Sequence, residues 1–168
     1  MKKICLLLAL LTIGLCLSAP AAFAQGNVKS GPDSSTLRDP ELEKDSLHNL
    51  EVARNYFNLK KAYVATLRRC EEVVATNPTF SKFDEILYLA GASSKNLAEN
   101  KGKQNVSQYV TLSEGVKKTP SADEFREMAR GYFVQIVNNY PQSKFFKQAQ
   151  LELDSLGGPG SKTDAAKP

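Results

Sequence analysis

The chain has a single histidine, His48, and three cysteines in 168 residues. That scarcity excludes whole classes of chemistry. A zinc site needs three or four nitrogen and sulfur ligands, and no second histidine or cysteine pair is placed to complete one. His48 therefore reads as a surface or groove polar residue rather than a metal ligand or catalyst. Also missing are a Gly-x-Ser-x-Gly nucleophile elbow, a phosphate-cradling glycine loop and any sustained period-two alternation of apolar residues. No catalytic, cofactor or metal site is expected, and the chain reads as a non-enzyme.

What is present begins with an export pattern. Lys2 and Lys3 precede an almost unbroken apolar stretch from Ile4 to Leu17, and Ala22-Phe23-Ala24 ends the segment with the small residues a signal peptidase reads. Residues 1–24 are expected to be a signal peptide cleaved before Gln25. The apolar stretch is shorter than the roughly 20 residues a spanning helix needs. The alternative, a lipid-carrying Cys16, is disfavoured because bulky Leu15 sits against the cut. An exported, periplasmic protein is the expectation, with outer-membrane association as its extension.

Cleavage would remove Cys5 and Cys16, leaving Cys70 without an internal disulfide partner. It would also lower the formal net charge from +4 to +2. A value so near neutral, with the export pattern, argues against nucleic acid as a partner. Cys70 falls on an apolar stripe and reads as a small core hydrophobe, with a redox or intermolecular role as the alternative.

The remaining chain divides into three. Residues 25–43 are rich in Gly, Pro, Ser and charge and read as a flexible linker. Residues 44–157 carry the apolar periodicity of one domain, and 158–168 read as a disordered tail. Five helical faces are expected: Leu47, Leu50, Ala53 and Phe57; Tyr63, Leu67, Cys70 and Val74; Phe83, Leu87, Ala90, Ser94 and Leu97; Phe125, Ala129, Phe133, Ile136 and Tyr140; Phe146, Ala149, Leu153 and Leu156. Pro78 and Pro141 should stop the second and fourth helices, Gly157-Gly158-Pro159 the fifth, and Ser121 with Glu124 should form a capping box. The expected fold is all-α, about five helices in antiparallel hairpins. Residues 99–119 lack a clean period and read as a long, mobile or functional connection.

The order Tyr63, Thr66, Cys70, Val73, Pro78, matched by Ala129, Phe133, Ile136, Pro141, resembles the second-helix pattern of tetratricopeptide repeats. With "NYPQSKFFKQAQLELDSL" closing the domain, the segment from Leu47 to Leu156 resembles periplasmic outer-membrane assembly factors of the BamD (YfiO) type. More distantly, it resembles cell-envelope coordinators of the YbgF type. The resemblance implies a short tetratricopeptide-like solenoid whose first helices line a binding surface. It implies a protein or peptide partner in the cell envelope, in outer-membrane protein assembly or envelope maintenance, with a cell-wall or division coordinator as the alternative. Peripheral association with an outer-membrane complex would follow.

On that expectation the partner-binding residues are those off the apolar lines of helices one and three. They are Glu51, Arg54 and Asn55 on the first and Tyr88, Lys95 and Asn96 on the third. Interfaces concentrate energy in aromatic and arginine anchors, which singles out Tyr88 and Arg54. The pairs Lys60-Lys61 and Lys117-Lys118 read as solvated turn residues, with contact to anionic lipid or an acidic partner as the alternative.

Overall fold

Asp39 starts the first helix. Its side chain accepts hydrogen bonds from the amides of Glu41 at 2.9 Å and Leu42 at 3.4 Å, and Pro40 occupies the first turn, where its missing N–H costs nothing. Helix α1 (Pro40–Asn55) thus begins four residues before the boundary expected at residue 44, which corrects the linker's extent. Hydrophobic content marks where a helix is buried, whereas a cap and a proline set where it starts. Arg38 adds a bond from Nε to the Thr79 carbonyl at 3.0 Å. The computed structural model describes residues 38–113 and 115–159. The expected leader at 1–24, residues 25–37 of the expected linker and 160–168 of the expected tail lie outside the described residues.

The protein is mostly helical, with each helix packed on its neighbours in sequence. A π-helical turn, Tyr56–Lys60, prolongs α1 and ends at Lys61 in the left-handed region, with φ at +51°. Helix α2 (Tyr63–Thr76) follows, then α3 (Phe83–Ala98), α4 (Ala122–Asn139) and α5 (Phe146–Ser155). Helices α2 and α4 end before Pro78 and Pro141, and α5 closes at Gly157 and Gly158. The capping box forms as expected: Ser121 Oγ accepts from the Glu124 amide, and the Glu124 carboxylate accepts from the Ser121 amide.

Helix α3 lies at the centre and is buried over most of its circumference, because α2 and α4 both pack on it and α1 touches it. Ile86, Leu87 and Ala90 are fully buried, and they meet Leu50 and Ala53 from α1, Leu67, Cys70 and Val73 from α2, and Phe125, Phe133 and Ile136 from α4. Each buried side chain of this size contributes about 1.5–3 kcal/mol before conformational entropy is subtracted. Helices α3 and α4 approach closely at Gly91, where a Cβ would fall 2.8 Å from the Phe133 ring. A side chain there would push the two central helices apart.

Two expectations require correction. Leu47 is exposed, and Ser46 takes its place on the inner face of α1. Ser46 Oγ donates to the Leu42 carbonyl and accepts from Asn77 Nδ2 at 3.0 Å, so the capping residue of α2 turns α1 by one position. Among the described residues, the 99–119 connection is not uniformly irregular. It contains a 3-10 turn (Val106–Gln108) and a two-stranded antiparallel hairpin, β1 (Thr111–Ser113) and β2 (Val116–Lys118), with Leu112 opposite Lys117. Strands of three residues are too short to register as an alternation.

Candidate partner-binding surface

The six residues expected to bind a partner divide into two groups in the structure. Glu51 and Asn55 are exposed on α1. Arg54, Tyr88, Lys95 and Asn96 are half-buried, and each is already engaged within the chain. Arg54 makes a fork of two hydrogen bonds to Glu85 on α3, Nε to Oε1 and Nη2 to Oε2, both 2.6 Å. Such bidentate pairs hold geometry as well as charge. Burial of Glu85 works against its ionisation. The Arg54 hydrogen bonds and charge, aided by Lys144 and Lys82, outweigh that and hold the carboxyl below the usual carboxylate range. Arg54 is correspondingly raised, chiefly by its hydrogen bond to Glu85.

Lys95 does for α3 and α5 what Arg54 does for α1 and α3. Its Nζ lies 2.5 Å from Glu152 and 2.9 Å from Ser155 Oγ. Tyr88 stacks on Phe145, just before α5, with ring centroids 4.8 Å apart and planes 17° from parallel. Burial and then the Glu152 charge raise its hydroxyl pKa. Asn96 bonds back to the Ala92 carbonyl within its own helix. Beside these residues a polar cavity of about 180 Å³ opens between Lys95, Asn96, Glu99, Lys101 and Glu152. Glu85, Phe145 and Glu152 were not legible as parts of this seam. Their partners lie 31 to 57 residues away.

The connection after α3 carries the other feature missed by pattern reading. Tyr109 is fully buried, packs on Phe125 at 5.3 Å and donates its hydroxyl to Glu71 on α2, while the Arg68 guanidinium lies 4.5 Å from its ring centroid. Arg68 also donates to the Val110 carbonyl at 2.6 Å. Upstream, Gln104 Oε1 accepts from the Ala65 amide at 3.0 Å, supplying the cap that α2 lacks at Ala62. Gly102 sits at φ +101°, and a Cβ there would come within 2.7 Å of both the Lys61 carbonyl and the Tyr63 ring. The segment from Gly102 to Val110 is therefore docked along the first half of α2. Burial raises the Glu71 pKa, outweighing its stabilisation by Tyr109 and Arg68.

Cys70 is fully buried, and burial, with Glu71 beside it, pushes its thiol pKa far up. A thiol so placed packs rather than reacts. Among the described residues no group of three or more histidine, cysteine or acidic side chains could hold a metal ion, and no helix is long and apolar enough to cross a membrane. Comparison of the chain with protein-family models, curated proteins and solved structures finds no significant match.

Proposed function

We propose that this chain is a non-catalytic, exported protein-interaction module of the cell envelope, built as a short tetratricopeptide-like stack and serving outer-membrane protein assembly or envelope maintenance. The observation that carries the reading is the tying of α1 to α3 and of α3 to α5. Arg54–Glu85 makes the first link, and Lys95–Glu152 with Tyr88–Phe145 makes the second. A stack of hairpins brings the first helices of successive units side by side in this way, with the second helices forming another layer. The turn after Pro141 also meets the start of α3: Ser143 donates to Asp84 at 2.5 Å, beside a cleft of about 340 Å³ that Ser81 also lines. Stacks of this kind present the layer of first helices to extended peptides or folded partners.

Arg54, Tyr88 and Lys95 are engaged in holding the layers, so the test uses the exposed positions. A photo-crosslinking residue placed at Glu51 or Asn55 in intact cells is expected to capture envelope proteins identifiable by mass spectrometry. The same residue at Arg69 or Glu72, exposed on α2, is expected to capture far less. Capture confined to α2, or none from α1, would set the reading aside.

A further inference from the structure

Helix α4 runs for 18 residues and ends at Asn139 with no basic residue in its last turn. The carbonyl end of a helix is the negative end of its dipole, and a lysine or arginine in the last turn is the usual complement. Here that end opens on the cleft of about 340 Å³, which Asn139, Tyr140 and Gln142 line together with Ser81 and Asp84 from the start of α3. A cation is missing from the place where the helix would favour one.

The carboxylate in the cleft is unmatched as well. Asp84, half-buried in the first turn of α3, accepts from Ser143 and makes no ion pair among the described residues. The flanking lysines face another acid: Lys144 lies 3.8 Å from Glu85 and over the Phe145 ring, and Lys82 also favours the ionised Glu85. The amino end of α3 offsets part of the Asp84 charge, but it is shared with Glu85 in the same turn. An ionised carboxylate accepts about four hydrogen bonds, of which Ser143 supplies one. Tyr140, half-buried and tilted against Phe83 at 6.5 Å, stands close enough to Asp84 that burial first and then the Asp84 charge raise its hydroxyl pKa.

We infer that this cleft holds the guanidinium of an arginine side chain from a partner peptide, forked on the Asp84 carboxylate, lying against Tyr140 and facing the carbonyl end of α4. A guanidinium is planar and always charged, so it can pair with a carboxylate through two parallel bonds and rest on an aromatic ring at once. An ammonium has no flat face to offer. Ser81, Asn139 and Gln142 are exposed at the rim, where their side chains can bond the peptide backbone on either side of the arginine. The cleft shares no residue with the seam of Arg54, Tyr88 and Lys95 or with the exposed Glu51 and Asn55, so the inference stands or falls independently of the proposed function.

The probe is Nα-acetyl-arginine methylamide, titrated into the isotopically labelled full protein and followed by amide chemical shifts. Saturable shifts are expected at Ser81, Asp84, Tyr140, Gln142 and Ser143, with a dissociation constant on the millimolar scale of a single anchoring side chain. The citrulline analogue, equal in shape but uncharged, should bind about tenfold more weakly or not at all. Asp84→Asn keeps an acceptor for Ser143 while removing the charge, and it should weaken arginine binding by about tenfold. Asp154→Asn, exposed on α5, should leave binding unchanged. Asn139→Lys supplies the missing cation at an exposed position and should displace the probe without harm to the fold. The inference is overturned by equal binding of the citrulline analogue, by shifts centred elsewhere on the molecule, or by Asp84→Asn behaving like Asp154→Asn. If Asp84→Asn does not fold, Asn139→Lys decides alone, and undiminished binding in that variant overturns the inference equally.

Discussion

Gly102 and Gly131 show how context decides what one methyl group does. At Gly102 a Cβ meets backbone at 2.7 Å in a left-handed conformation, so Gly102→Ala is expected to cost about 1–3 kcal/mol. Gly131 lies exposed inside α4 with nothing within 4 Å of its added Cβ, so Gly131→Ala should gain about 0.5–1 kcal/mol from helix propensity. Urea denaturation of both variants checks the pair of signs. Glu85 and Glu71 make a similar contrast in charge. The folded pKa of Glu85 is depressed, so its contribution is present above the ordinary carboxylate pKa and is lost as pH falls through the folded value. Glu85→Gln should cost about 1–2 kcal/mol at neutral pH, with the deficit closing in acid. The folded pKa of Glu71 is raised, so its ionised form burdens the fold at neutral pH and the burden lifts as pH falls through that value. Glu71→Gln should raise the melting temperature at pH 7 and lose that gain in acid. Melting curves across pH 3–8 that show the same sign for both variants would refute the assignment.

At the scale of elements, the connection between α3 and α4 is an anchored strap with a free hairpin at its far end. Tyr109 is the anchor, with its ring on Phe125 and its hydroxyl on Glu71. Tyr109→Ala removes a fully buried ring and should cost about 3–5 kcal/mol. Gln104→Ala, which removes only the cap on the Ala65 amide, should cost about 1 kcal/mol. Hydrogen exchange discriminates between them. Tyr109→Ala should expose amides throughout 102–110, whereas Gln104→Ala should affect mainly the first turn of α2. Unchanged exchange in Tyr109→Ala would mean that the strap is held by its backbone contacts alone.

For the whole molecule, the linked helices and the proposed compartment make separate claims. If Arg54–Glu85 and Lys95–Glu152 are independent ties on opposite ends of α3, alanine changes at Arg54 and Lys95 should add within about 0.5 kcal/mol in a double-mutant cycle. Coupling beyond that would show the layer moving as one unit. Export predicts a mature protein that begins at Gln25 and carries no lipid. Mass spectrometry of the native protein reads this directly, and a diacylglycerol on Cys16 would place it on a membrane instead.

The sequence by itself determined the helical elements. Period and punctuation are local properties, and so the faces through Leu67 and Cys70, Leu87 and Ala90, and Phe125 and Phe133, the stops before Pro78 and Pro141 and the Ser121 capping box could be read from neighbours within a few residues. Even the error at Leu47 was local in kind: hydrophobicity favoured it, and a hydrogen bond from Asn77, 31 residues beyond Ser46, turned the helix the other way. Only the tertiary structure decided what the expected binding residues do. An arginine, a tyrosine and a lysine off the apolar line look available in a sequence, yet Arg54, Tyr88 and Lys95 are taken up by Glu85, Phe145 and Glu152. Whether a polar side chain is free depends on which distant group the fold brings within about 3 Å, the range of a hydrogen bond, and periodicity carries no information about that distance.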